Sequence, residues 1–127
     1  MLFFTLILTY EFPIAVGNLS SLSVFGDNSP TYDGTGVRDY IHVVDLAKGH
    51  LAALDYLQSN TGCHTWNLGT SVGCSVLDMI KAFEKSSNRS VPYHIVPRRA
   101  GDIAECWADS RKLYEELGWK AGLGLDR

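Results

Sequence analysis

The chain has 127 residues, the size of one ordinary domain, and 46% of them are hydrophobic against 20% charged, which excludes the polar, highly charged makeup of a disordered segment. Eleven Lys and Arg against fourteen Asp and Glu give a net charge of -3 with no dense basic run, so the electrostatic footprint of a nucleic-acid partner is missing. Three widely spaced cysteines, Cys63, Cys74 and Cys106, include no Cys-x-x-Cys pair for zinc or redox exchange and read as free thiols of a reducing, cytoplasmic compartment.

The amino-terminal "MLFFTLIL" is apolar over about eight residues, too few to span a membrane, and it lacks the basic start and small-residue cleavage site of a secretory signal. No membrane partner is expected. Residues 3–16 suit a helix broken at Pro13 and ended by Gly17 and Asn18. Asn18-Leu19-Ser20 and Asn88-Arg89-Ser90 fit the glycosylation tripeptide, which means little without export. "LSVF" at 22–25 predicts a short strand stopped by "GDNSP", and "YIHVV" at 40–44 predicts a second.

Asp45 can accept from the first free amides of a helix running to about Gln58, with Leu46, His50, Ala53, Leu54 and Leu57 along one face. "CHTWNLG" at 63–69 reads as a buried strand. Ser75 and Asp78 have capping-box spacing, and Leu77, Ile80, Phe83 and Glu84 follow at helical intervals to about Lys85. "VPYHIVP" at 91–97 alternates like a strand closed by proline at each end, and "RRAGD" then makes a loop. A last helix starts at Asp109 or Ser110 and ends at Gly118, with Leu113, Leu117 and Trp119 available for packing. Strand and helix alternate without internal repeat: a mixed α/β chain, read as one domain over 1–127.

No nucleophile with its base, tuned carboxylate pair or metal cluster stands out. His42, His50, His64 and His94 are not at metal-ligand spacing, and His50 reads as a packed or surface residue. Gly34-x-Gly36 leads into a strand rather than the helix a dinucleotide loop requires. Anion holders remain: Arg38 after "DGTG", and Arg98 with Arg99 in a loop bounded by proline and glycine, present guanidinium forks from two loops. Asp102 could accept from sugar hydroxyls. From spacing alone, solvated loop charges or a structural pair such as Arg38 with Asp102 is the favoured reading.

The runs "VFGDNSPTYDGTGVRDYIHVVDLAKGH" (24–50), "WNLGTSVGCSVLDMI" (66–80) and "PRRAGDIAECWADSRKLYEELGW" (97–119) closely resemble the carboxyl-terminal part of the UDP-glucose (UDP-galactose) 4-epimerases, which are extended short-chain dehydrogenases. The likeness covers about residues 8–127; residues 1–7 match poorly. It implies a small mixed α/β carboxyl-terminal substrate domain, with the NAD-binding Rossmann half missing. It further implies that Ser23 to Phe25 lies beside uracil, that Arg38 and Arg99 hold the diphosphate, and that Asp102 meets the ribose. Tyr40 and Val76 match positions lining the nucleotide pocket. Cys106 falls where a small residue leaves room for an N-acetyl group at C2, extending the substrates from UDP-galactose and UDP-glucose to UDP-GalNAc and UDP-GlcNAc.

The complete family enzyme uses NAD to oxidise and re-reduce C4 of the sugar, serves galactose metabolism and is a homodimer. Here no Tyr-x-x-x-Lys pair exists: Tyr10, Tyr32, Tyr40, Tyr56, Tyr93 and Tyr114 are each followed four residues later by something other than lysine. The chain therefore reads as a fragment without catalytic or cofactor-binding residues of its own. Two other readings stay open, a non-catalytic UDP-sugar-binding module or remnant, and a related nucleotide-sugar dehydratase or decarboxylase.

Overall fold

A computed structural model of the chain describes residues 20–125. The helix expected over 3–16 and the Asn18 tripeptide lie outside them. The described residues divide into two compact units, one of residues 20–38 and 74–105, the other of residues 39–73 and 106–125.

In the first unit "LSVF" forms β1, Leu22–Phe25, as its apolar and β-prone residues predict. It pairs in parallel with β4, Tyr93–Val96, in the register Leu22↔Tyr93 through Phe25↔Val96. Pro92 and Pro97 flank β4 and cannot donate to a ladder, which confines the strand to four residues. Helix α2, Val76–Ser87, opens on the predicted capping box: Ser75 Oγ accepts from the Asp78 amide at 3.0 Å, and the Asp78 carboxylate accepts from the Ser75 amide at 3.2 Å. It runs two residues beyond the expected Lys85 and ends where Asn88 takes a left-handed φ of 52°. Val24, Ile80 and Val91 form the core, and Leu22, Val76, Leu77 and Phe83 pack against it. Full burial of one such aliphatic side chain contributes about 2 kcal/mol.

A short three-stranded sheet joins β2, Val37–Asp39, β3, Gly73–Ser75, and β5, Glu105–Cys106, in the order β3-β2-β5. The strand expected at 40–44 lies earlier than predicted, at β2, because a helix claims Val43. Helix α1, Val43–Leu57, starts when His42 adopts an extended backbone and its Nδ1 accepts from the Val44 amide at 3.1 Å. Two β-branched valines then fall in the first turn, where no preceding turn crowds them. The cap expected of Asp45 is thus supplied by His42.

The face expected of α1 is also corrected. Its buried residues are Asp45 and Gly49, whereas His50, Leu54 and Leu57 are exposed. A Cβ on Gly49 would come within 2.3 Å of Leu68 Cδ2 and 3.3 Å of Trp119 Cζ2, so this helix packs through its backbone. Asp45 turns inward because the Gly122 and Leu123 amides each donate to its Oδ2 at 2.7 Å.

Residues 63–69 are not a strand: no strand among the described residues pairs with them, and only Gly69 is buried. β-prone sequence without a ladder partner stays irregular. Side chains fix it instead. His64 stacks on Trp66 at 5.5 Å between ring centroids, and Tyr56 meets both edge-on at 5.2 and 5.4 Å. Trp66 Nε1 donates to Glu116 at 2.6 Å and Lys112 to the Thr65 carbonyl at 3.0 Å, holding the segment to α3, Arg111–Leu117. That helix follows Ser110 and ends at Gly118 as expected, with Leu113 fully buried. No helix among the described residues is long and apolar enough to cross a membrane.

Candidate functional site

Arg38 is positioned from the loop before it. Asp33 Oδ1 accepts from the amide and hydroxyl of Thr35 at 2.9 and 2.8 Å, closing a turn in which Gly34 has φ +82°. A Cβ there would lie 1.9 Å from the Asp27 carbonyl, so no other residue fits. The loop is locked to the start of α2 by Ser75 Oγ, which donates to Asp33 Oδ2 at 2.5 Å, and by the Tyr32 hydroxyl, which donates to Asp78 and accepts from the Ser75 amide at 3.0 Å. Burial pushes the Asp33 carboxyl up, but the donors Ser75 and Thr35 and the charge of Lys81 outweigh it and hold the group below its ordinary 3.8. For Asp78 the Tyr32 hydroxyl is the main cause of a shift in the same direction, and Tyr32 is raised above 10.0 by that bond.

Strand alternation then buries Val37 and turns Arg38 away from it. The Arg38 guanidinium donates to the carbonyls of Val37 at 2.7 Å, Ile103 at 2.8 Å and Ala104 at 3.4 Å. The second arginine loop carries the residue preceding those last two. Arg99 grips the Asp102 carboxylate through Nε at 2.9 Å and Nη2 at 3.2 Å, and the Asp102 amide returns to the Arg99 carbonyl at 3.4 Å. Gly101, at φ +83°, supplies the left-handed step of this turn. Arg99 Cζ sits 4.6 Å above the Phe25 ring centroid, and Arg98 Nη2 donates to the Asp102 carbonyl.

Arg99 thus meets Asp102 and Phe25, and Arg38 meets the carbonyls of Ile103 and Ala104, which follow Asp102 in the chain. Of the two structural alternatives, the Arg38–Asp102 pair does not form: Asp102 takes Arg99, and Arg38 takes main-chain oxygens. The Arg99 side chain is 45% exposed, and such an open ion pair contributes little to stability.

Ser23 shares the outward face of β1 with Phe25 and bonds His94 Nε2 at 3.1 Å, while Ser21 bonds Nδ1 of the same ring at 3.0 Å. Val76 packs on the core, its amide donating to the Gly36 carbonyl at 3.2 Å. Tyr40, buried, and Cys106, exposed on β5, belong to the second unit. Gly34 and Gly36 lead into the strand β2 rather than into a helix, as expected from their spacing.

Two carboxylates were not singled out by sequence reasoning. Asp33 binds across 42 residues to Ser75, and Asp39 accepts from the Thr70 amide and hydroxyl, the Ser71 amide and the Ala108 amide at 2.6 to 3.2 Å. Asp-x-Thr spacing signals the local turn at Asp33; nothing local signals Asp39.

The family model for GDP-mannose 4,6 dehydratase matches residues 3–127, and the chain belongs to that family. Within it the near relatives are UDP-glucose 4-epimerases. That of Mus musculus is 56% identical over 121 residues and that of Bacillus subtilis 57% over 120, covering 95% and 94% of this chain but 35% of each relative. The chain thus spans about a third of the length of the curated relatives it matches. The solved UDP-glucose 4-epimerase of Stenotrophomonas maltophila, with bound NAD and formylated UDP-arabinopyranose, superposes with TM-score 0.91 at 50% identity over 94% of this chain and 36% of that one. The Bifidobacterium longum enzyme, in complex with NAD+ and UDP, gives 0.88 at 54% over the same shares. The mixed α/β architecture is that of the carboxyl-terminal portion of these epimerases.

Proposed function

We propose that the chain forms the UDP-sugar-holding part of a UDP-glucose 4-epimerase, which in complete form interconverts UDP-galactose and UDP-glucose by NAD-mediated oxidation and reduction at C4. The observation that carries this reading is the loop in which Arg99, bound to Asp102 and lying over Phe25, stands next in the chain to the carbonyls that Arg38 grips. On binding, Arg99 exchanges the Asp102 carboxylate for a phosphate, which frees Asp102 to accept from a ribose hydroxyl. Arg38 supplies the second guanidinium, and Ser23 and Phe25 offer a strand face to the uracil. Tyr40 and Val76 beside the nucleotide, and Cys106 beside the sugar, enter from the resemblance.

Firm holding of UDP and loose holding of the hexose suit an epimerase, because the sugar must present opposite faces to one hydride carrier while its anchor stays still. NAD, dimerisation and a cytoplasmic setting belong to the complete enzyme in this reading, and no residue of this chain is assigned to the cofactor. The small exposed thiol of Cys106 favours acceptance of UDP-GalNAc and UDP-GlcNAc as well.

Titration of the chain with UDP by calorimetry tests the proposal. UDP should bind, and Arg99→Ala should weaken it by about 2 to 3 kcal/mol, the loss expected when a charged hydrogen-bond donor is removed from a phosphate. No heat with the unaltered chain overturns the reading.

A further inference from the structure

Arg98 is left without a role by the reading above, yet its guanidinium is committed. Nη2 donates to the Asp102 carbonyl, while Arg99 holds the Asp102 carboxylate. Its stem lies on Gly26: a Cβ added at that glycine would come 3.1 Å from Arg98 Cβ and 3.5 Å from Cγ. The Gly26 amide in turn donates to the Val96 carbonyl at 2.8 Å, continuing the β1–β4 pairing one step beyond Phe25 and Val96. Arg98 thus bridges the rigid end of the sheet to the Asp102 carbonyl, and the turn it closes carries both Arg99 and Asp102. Residues 100 and 101, alanine and glycine, bring no side chain that could hold the turn by itself.

We propose that Arg98 is a positioning residue: it sets the 98–102 turn against the end of β1 so that Arg99 and Asp102 are presented together, and it does not itself touch the ligand. The role in binding rests on the UDP reading; the role in ordering the turn does not. Two readouts separate them, each taken on the full chain and on Arg98→Ala, Arg98→Lys and Arg99→Ala.

In the absence of ligand, exchange of the Asp102 amide, which bonds the Arg99 carbonyl across the turn, should speed up about tenfold in Arg98→Ala, the loss of one charged hydrogen bond, and recover in part in Arg98→Lys. Exchange in α2 should not change, since Arg98 is a surface residue. Unaltered exchange of the Asp102 amide overturns the proposal whether or not UDP binds. The second readout is affinity for UDP and for uridine. A positioning residue weakens both, because Asp102, which would meet the ribose, is displaced along with Arg99; a residue that contacts phosphate weakens UDP alone, and that pattern also overturns the proposal. If the unaltered chain takes neither ligand, the UDP reading fails and the exchange measurement still decides the ordering role.

Discussion

Helix α1, of 15 residues, is longer and richer in apolar residues than α2, of 12, yet it is α2 that buries apolar side chains. The α2 helix packs Ile80 with Val24 of β1 and with Val91, its partly buried Leu77 and Phe83 lie against the same cluster, and its first turn is sealed by a reciprocal cap. In α1 the buried positions are a carboxylate and a glycine, while Val43, Leu51 and Leu54 stand 64%, 60% and 59% exposed. The first unit has a cluster of buried aliphatic side chains, whereas in the second the buried Leu113 and Tyr40 are joined by main-chain amides collected on Asp45 and Asp39 and by close backbone approach at Gly49 and Gly69. Apolar periodicity alone does not say which face a helix buries; the partner decides.

The comparison can be broken most strongly at Ile80. Ile80→Ala should destabilise the chain by about 3 kcal/mol in denaturant titration, the usual cost of truncating a buried aliphatic residue. A value below about 1 kcal/mol would mean that this core does not support the first unit. Next comes the cap: Ser75→Ala removes both the bond to Asp78 and the bond to Asp33, and should cost about 1 to 2 kcal/mol. Because Asp33 steers the loop before Arg38, the same variant should also weaken UDP.

Acid sharpens the contrast between hydrogen-bonded and apolar stabilisation. Asp33 and Asp78 in the first unit lie below their ordinary 3.8, and so does Asp45 in the second, where the Leu123 amide is the main cause. A carboxyl depressed in the folded state contributes stability above its unfolded value, and that contribution is lost as pH falls through the lower folded value. Stability should therefore decline below about pH 3.8, whereas Tyr32, raised above 10.0, keeps its bond to Asp78 until the pH passes that value. A thermal midpoint flat from pH 6 down to 2.5 would contradict this. The smallest effect is expected for Leu51→Ser with Leu54→Ser on α1, within about 0.5 kcal/mol for exposed positions. A large loss of stability would show that these leucines are covered.

Cys106→Tyr addresses the sugar rather than the fold. If Cys106 borders the hexose, the larger ring should reduce affinity for UDP-GlcNAc more than for UDP-glucose, and equal affinities would remove it from the site.

Local signals were read well from the sequence. β1, the Ser75 capping box, the proline-bounded β4 and the Gly118 stop each depend on residues within a few positions of one another, where backbone sterics and short-range hydrogen bonds dominate.

Tertiary structure alone decided the rest. Strand-like residues 63–69 form no strand because a ladder requires a second chain segment, and Asp45 leaves its capping role because the amides of Gly122 and Leu123 arrive from 77 and 78 residues away. The choice of Asp102 as partner for Arg99 rather than Arg38 was likewise settled in three dimensions, where Gly101 turns the chain and the Phe25 ring sits beneath the guanidinium. Propensity acts over a few bonds and is written in the residue order, whereas hydrogen-bond satisfaction and packing choose among all groups that folding brings near.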